Sequence, residues 1–260
     1  MNEQDWDEVA TTFDEAILDV TAHDRLGRIR KCVQRYGGKG RTAADIGCGV
    51  GRTLDLIAND FSTVFATDIS QECLGMAHKA MAHHHHIQYI HSDLVQHHGL
   101  PYPVDLVVCI NVVLHASLEK REAMLRHLCN GVKDGGHLLL VVPALESALY
   151  ASHRLVRLNR HSGMSPKTAQ RKALREMSDL DLGIVLVDGV PTKHHLKEEL
   201  HDLLCAEGLQ VRSTQKIEYP WSYVLEAPPE EMDGPTPWNW IVVAEKPVKR
   251  PGARNSRAAT

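Results

Sequence analysis

Three glycines alternate with other residues in the stretch ADIGCGVGRTLDLI, which covers positions 44–57. They are Gly47, Gly49 and Gly51, with Asp45 before them and an apolar run of helical pattern after them. A glycine turn between a strand and a helix lets the backbone approach a ligand closely, and it points the start of the helix at that ligand. The stretch therefore predicts a loop that binds a nucleotide-like cofactor.

The spacing of these glycines argues against a dinucleotide. Dinucleotide-binding loops follow the pattern G-x-G-x-x-G, but Arg52 stands where the third glycine would fall. A phosphate-binding loop is excluded as well, because no G-K-[ST] sequence follows. Asp68 ends the next predicted strand, where a carboxylate can accept hydrogen bonds from two ribose hydroxyls; a simple turn at the strand end is the alternative. The pattern favours a cofactor that has a ribose but no pyrophosphate.

Predicted strands and helices alternate around this loop. The strands are predicted at 41–46, 62–68, 87–93, 104–110, 136–143, 209–219 and 238–247, and the helices at 24–36, 51–60, 70–82 and 118–132, with a further helix from about Leu196 to Gly208. Such alternation is typical of a parallel sheet with helices on both faces. We therefore expect an α/β fold with a doubly wound, mostly parallel, seven-stranded sheet.

One domain, residues 1–247, is expected to contain all of these elements. Residues 1–36 are expected to form N-terminal helices, the first with Trp6 and Phe13 on one face. The polar insertion at 144–193 interrupts the alternation and predicts two helices and a loop. Residues 248–260 form a basic tail of small residues, which is expected to be disordered.

Composition limits the function classes. The net charge of −4 over 260 residues gives no indication of bulk binding to nucleic acid or to anionic membranes. No apolar run is long enough to span a membrane, and the acidic N-terminus is unlike a signal or transit peptide. The six cysteines are scattered without a C-x-x-C pair, which is typical of reduced thiols and predicts a cytoplasmic protein.

The order of the motifs resembles that of the class I S-adenosylmethionine-dependent methyltransferases. The resemblance is close over residues 40–143 and looser over 194–247, and the stretch VKDGGHLLLVVP also agrees with it. It implies a Rossmann-like methyltransferase fold and S-adenosyl-L-methionine as the cofactor. The cofactor-binding residues that it implies are Asp45, Gly47, Cys48, Gly49, Gly51, Asp68, Ile69, Asp93, Leu94 and Asn111.

Each of these implied roles has a structural alternative. In the family, the acid at Asp45 both ties down the loop and reaches toward the methionine end of the cofactor, but an acid here can also cap a helix. The family's adenine contact falls on Asp93, yet Ser92-Asp93 is also a good turn or helix-capping pair. Cys48 is expected to fill space rather than to act as a nucleophile.

The methyl acceptor is less clearly indicated. The sequence INVVLH follows the fourth main strand. Methyltransferases that act on amide or base nitrogens have the motif N/D-P-P-Y/F at this place, and the chain does not resemble them here. Nucleic acid is therefore not expected as the substrate. His115 is the candidate catalytic residue, as a base or a substrate contact, with a packed histidine as the alternative. His194 and His195 begin a predicted helix, and one of them is expected to line the site. In the resembling family, insertions at the place of 144–193 often form a helical cap over the acceptor. Such a cap favours a small, enclosed acceptor with an oxygen, nitrogen, sulfur or carbon nucleophile.

No metal site is predicted. The run His83–His86 invites one, but four adjacent histidines in one short loop cannot all point the same way, so adventitious nickel or copper binding is the expectation. Two other function classes stay open: an NAD(P)-dependent oxidoreductase of similar fold, and a non-catalytic scaffold that binds S-adenosylmethionine. The basic tail also leaves a protein or RNA acceptor open.

Overall fold

The computed structural model describes residues 2–13, 17–173, 183–225, 227–229, 232 and 234–248. Its helices are α1 Glu3–Ala10, α2 Val20–His23, α3 Arg28–Tyr36, α4 Leu54–Ala58, α5 Gln71–Ala80, α6 Leu118–Asn130, α7 Leu145–His161, α8 Pro166–Ala173 and α9 Lys197–Ala206, with a 3₁₀ turn at Trp221–Tyr223. Its strands are β1 Gly38–Ile46, β2 Phe61–Asp68, β3 Ile87–His91, β4 Val104–Ile110, β5 Val132–Pro143, β6 Ile184–Val187, β7 Val190–Lys193, β8 Gln210–Glu218 and β9 Trp238–Glu245. Among the helices in this part of the chain, none is both long and apolar enough to cross a membrane.

Seven strands form one sheet in the order β3-β2-β1-β4-β5-β9-β8. Strands β1 to β5 pair in parallel, whereas β9 is antiparallel to both of its neighbours. The order reverses at β1, so the loops after β1 and β4 leave the same edge of the sheet side by side. The predicted doubly wound, mostly parallel fold is confirmed.

The core lies on both faces of this sheet. Leu138 and Leu140 of β5 point into one buried cluster, and the alternate residues Leu139 and Val141 point into the other. Because all four side chains are fully buried, residues 138–142 of β5 form an apolar run without the polar positions of a half-exposed strand. The same pattern in β4 explains why the sequence placed that strand correctly at Val104–Ile110.

Three predicted boundaries were wrong near glycines and at strand ends. The helix expected from residue 24 begins at Arg28, because Gly27 has a left-handed backbone with φ of 60° and separates it from α2. The helix expected over 51–60 is only Leu54–Ala58, since the residues before it belong to the glycine loop. Strand β5 begins earlier than expected, at Val132.

The insertion at 144–193, called the cap below, contains more than the predicted helices. After α7 and α8, strands β6 and β7 form an antiparallel hairpin around Asp188 and Gly189, whose φ angles are 49° and 80°. Two positive φ angles at an Asp-Gly pair are typical of a tight hairpin turn, so the sequence did carry this feature. Residues 174–182 of the cap lie outside the described residues, as does the predicted tail beyond Val248.

Removing a side chain from the centre of the sheet should be costly. We expect Leu139→Ala to lower the free energy of unfolding by about 2–5 kcal/mol, because Leu139 is fully buried and the cavity cannot close. Leu118→Ala is the control, since Leu118 is 52% exposed. Urea unfolding would measure both; equal effects for the two variants would contradict this core.

Candidate functional site

The glycine loop after β1, residues 47–52, is held by the end of β2. The amides of Gly47 and Cys48 both donate to the Thr67 carbonyl, at 2.7 and 3.0 Å. The backbone φ angles of Gly47, Gly49 and Gly51 are 74°, 53° and 93°. Residues other than glycine rarely adopt such values. A Cβ at Gly47 would also lie 2.2 Å from a Val112 methyl. These glycines are therefore required by both the backbone and the packing.

Asp68 ties this loop to the next helix. One carboxylate oxygen accepts a hydrogen bond from the Gly49 amide at 2.8 Å, and the other accepts from the Ser70 amide at 2.9 Å. Burial raises the pKa of Asp68, and the two amides oppose that shift. The carboxylate thus stands at the carboxyl edge of β2, beside the glycine loop, as the sequence predicted.

Asp45 is buried beneath the loop and incompletely bonded. It is 1% exposed, and its Oδ2 has no hydrogen-bond partner among the described residues. Burial, followed by the charge of Asp68, raises the pKa of Asp45 to about 7. A buried carboxylate oxygen without a donor is rare, because it loses the hydrogen bonds of water without replacement. Asp45 therefore fits a ligand that carries a cationic or hydrogen-bond-donating group.

Asp93 and Leu94 follow β3 in a compact turn. The Asp93 carboxylate accepts from the Val95 amide at 2.8 Å and from the Gln96 side chain at 3.3 Å. Leu94 is buried, and Ile69, after β2, is half-buried. Asp93 thus forms the turn that was the alternative to a role in cofactor binding. The contact between Asp93 and an adenine stays a prediction.

Asn111 lies where β4 ends and has a left-handed backbone, with φ of 55°. Its amide donates to the Val141 carbonyl at 2.8 Å, and its side-chain oxygen accepts from Asn239 at 3.3 Å. Such strained positions cluster at functional sites. The end of β4, the end of β5 and the start of β9 are thereby joined at one point.

His115 closes the β4-exit loop, residues 111–115. Its Nδ1 accepts a hydrogen bond from the Ser117 amide at 2.9 Å, so the neutral ring carries its proton on Nε2. Burial, together with Lys120 and Arg121, lowers the pKa of His115 and keeps the ring neutral. In this state the ring offers an N–H donor, which suits a substrate contact better than proton abstraction.

A buried polar cluster lies behind this loop; it contains His195, which was singled out from the sequence, and a Lys193–Glu199 pair that was not predicted. Lys193 is 2% exposed, and its Nζ lies 2.7 and 2.8 Å from the two carboxylate oxygens of Glu199. His195 is 1% exposed, its Nε2 lies 3.1 Å from the Val113 carbonyl, and burial lowers its pKa to about 4. The neutral ring therefore donates to Val113 and supports the β4-exit loop from behind. The cap hairpin extends this support, because the Lys193 amide donates to the Leu114 carbonyl.

The N-terminal segment covers the glycine loop. The Phe13 ring packs so closely on Gly49 that a Cβ there would lie 2.7 Å from it. Arg52 donates to the carbonyls of Phe13 and Ile17 at 3.1 and 2.9 Å, and its guanidinium stacks over the Phe13 ring. Arg52, which stands where a dinucleotide-binding loop has its third glycine, therefore links the N-terminal segment to the glycine loop by hydrogen bonds.

Helix α1 continues the cover across α5. Asp7 accepts hydrogen bonds from the Ser70 hydroxyl at 2.5 Å and from the Glu72 amide at 3.3 Å. Further on, the His23 ring meets Tyr223 edge to face, with ring centroids 4.9 Å apart. The carboxyl edge of the sheet is therefore bounded by the N-terminal segment on one side and by the cap on the other.

Comparison with known proteins finds a methyltransferase domain in part of the chain. A family model described as a methyltransferase domain matches residues 43–136. A segment of 95 residues is 30% identical to the magnesium-protoporphyrin O-methyltransferase of Synechocystis sp., and it covers 35% of this chain and 40% of that protein. The chain therefore spans less than half the length of this curated relative.

Solved structures share the fold. The crystal structure of magnesium protoporphyrin IX methyltransferase from Synechocystis PCC 6803 with bound S-adenosylhomocysteine covers 94% of this chain and 99% of its own, at 18% identity and a TM-score of 0.54. The N-methyltransferase NodS from Bradyrhizobium japonicum WM9, in complex with S-adenosylhomocysteine, covers 94% and 98%, at 13% identity and a TM-score of 0.61. Residues 43–136 thus match a methyltransferase domain, and the chain shares the fold of methyltransferases that were crystallised with S-adenosylhomocysteine.

Proposed function

We propose that the chain transfers a methyl group from S-adenosylmethionine to a small-molecule acceptor held beneath the cap. The observation that carries this proposal is the unpaired, buried carboxylate of Asp45 below a glycine loop that Asp68 fixes in place. When bound, the cofactor supplies a methyl group already activated on a sulfonium. The chain has to bind, align and desolvate the two reactants.

The two buried aspartates are proposed to bind different parts of the cofactor. Asp68 stands at the strand end where a ribose is held in this family, and Asp45 offers its free oxygen to the amino group of the methionine portion. The glycines allow the backbone to approach the ligand closely. Asn111, held by Asn239 and by the β5 backbone, is proposed to lie near the methionine end.

The acceptor is proposed to bind between the cap and the N-terminal segment. The cap packs on the turn at Trp221 through a small cluster of its own, with Ala151 and Met232. Phe13 covers the loop from the other side and is proposed to act as a lid. An enclosed site excludes water and favours small substrates over macromolecules. Two relatives named for methylation of magnesium-protoporphyrin or of nitrogen support this class without fixing the acceptor atom.

The thiols support a cytoplasmic location. All six cysteines are free, and five of them are buried. Free thiols in this number are typical of a reducing compartment. We therefore propose a cytoplasmic enzyme.

The choice of cofactor can be tested directly. Calorimetry is expected to show micromolar or tighter binding of S-adenosylhomocysteine and no comparable binding of NADH. Incubation with labelled S-adenosylmethionine and a panel of small metabolites is then expected to give a methylated product. Tight NADH binding alone would replace this proposal with an oxidoreductase, and cofactor binding without turnover on any acceptor would favour a scaffold.

Replacing Asp68 tests the ribose assignment. We expect Asp68→Asn to weaken S-adenosylhomocysteine binding by about 1–3 kcal/mol, roughly 5- to 150-fold, because a charged hydrogen-bond acceptor is lost. Asp134→Asn, at an exposed position near the start of β5, is the control and should bind as the wild type does. Unchanged affinity in Asp68→Asn would refute the assignment.

Asp45 should make the unliganded protein less stable as the pH rises. The unfolded carboxyl ionises near pH 3.8, whereas the folded one keeps its proton to about pH 7, so the folded state loses stability across this window. Asp45→Asn removes this loss. Relative to the wild type, the variant is expected to gain about 1–3 kcal/mol between pH 5 and pH 8 in urea unfolding. A difference that does not change with pH would show that Asp45 ionises normally.

A further inference from the structure

We propose that Asp55, His83 and His84 form a binding site for one divalent metal ion of the zinc type. Asp55 lies on the outer face of α4, and the two histidines lie in the turn between α5 and β3. One ligand atom from each residue lies within 4.8 Å of the other two. Packing of the α4 helix beside this turn thus places a carboxylate next to two imidazoles that are 28 and 29 residues away in the chain.

The orientation of His84 is the strongest observation. Its Nε2 is buried, has no hydrogen-bond partner among the described residues and lies 3.6 Å from the Asp55 carboxylate. The ring is fixed by its surroundings, since its side chain is only 13% exposed and the His84 amide donates to the Met81 carbonyl. The lone pair or proton on this imidazole nitrogen therefore makes no hydrogen bond within the described residues. A metal ion between the two groups would satisfy both.

The spacing fits common metal geometry. Zinc binds imidazole nitrogen at about 2.0–2.1 Å and carboxylate oxygen at about 2.0–2.2 Å, so tetrahedral ligands lie about 3.3–3.5 Å apart. The separation of 3.6 Å between His84 and Asp55 is close to this value. The His83 ring lies beside that of His84, with centroids 4.1 Å apart and planes tilted by 44°. Since His83 and Asp55 are exposed, small side-chain rotations can complete the set.

The type of ion follows from the donors. Two imidazoles and one carboxylate suit zinc, cobalt, nickel or copper, whereas calcium and magnesium prefer oxygen ligands alone. Three protein donors leave at least one position for water, so the site differs from a closed structural zinc centre. His86 is turned away, because its Nε2 lies 2.9 Å from the Ala58 carbonyl.

The site departs from the expectation based on sequence, in which the histidine run binds metals only adventitiously. That expectation considered the run alone, whereas the structure adds the carboxylate of Asp55. Helix α4 directly follows the glycine loop. An ion at this position would fasten α4 to the turn before β3 and stabilise the folded state by preferential binding.

The test uses the full chain after removal of metals with EDTA. Titration with Co²⁺ is expected to produce visible ligand-field absorption that saturates at one equivalent, and Zn²⁺ is expected to displace it. Asp55→Asn should weaken Zn²⁺ binding at least tenfold in calorimetry, as should His84→Ala. His85→Ala is the matched control, because His85 belongs to the same run and is exposed but lies outside the set; its affinity should stay within twofold of the wild type.

Two outcomes would overturn the proposal. No binding below millimolar Zn²⁺ would leave His84 and Asp55 as a side-chain contact that holds no metal. Equal affinity in Asp55→Asn and the wild type, with losses in His84→Ala and His85→Ala alike, would show adventitious binding by the histidine run. Asp55 is exposed, so its variant should fold even if His84→Ala does not, and thermal unfolding with and without Zn²⁺ provides a second measurement.

Discussion

Two carboxylates, Asp45 and Asp68, are buried at the ends of neighbouring parallel strands, and the rest of the site is arranged around them. Burial of like charges side by side is unfavourable unless donors or cations compensate. The glycine loop provides part of this compensation, because its amide reaches Asp68. Asp45 retains an unsatisfied oxygen. A cationic group bound beside Asp45 would therefore reduce the unfavourable electrostatic energy of the two buried carboxylates.

The elements around the carboxylates connect the glycine loop and the end of β4 to segments at both ends of the chain. Arg52 joins the glycine loop to the N-terminal segment through two backbone carbonyls. On the opposite side, His195 and the hairpin support the β4-exit loop from the cap. Both supports are made by segments outside residues 43–136, the part that matches the methyltransferase-domain model. The part that matches this model thus contains the glycine loop, while the flanking segments shape what surrounds it.

The sequence predicted the sheet well, because its central strands are continuous apolar runs bounded by turns. It also placed Asp45, Asp68 and Asn111 at the strand ends, since their spacing reflects the parallel topology. It failed where the outcome depends on tertiary packing. The burial of Lys193 and the approach of Asp55 to His84 leave no local pattern, whereas the missed hairpin had a readable Asp-Gly turn.

Strand β9 lies between β5 and β8, although it is the last strand in the chain. Through it, Asn239 reaches Asn111 across 128 positions, and the Trp238 amide reaches Ser147 across 91. Contacts so distant in sequence form late, because the closure of long loops must precede them. On the ribosome, a nascent chain can assemble β1 to β5 long before it can insert β9. The contact between Asn239 and the end of β4 thus has to wait until the chain has been synthesised beyond residue 239.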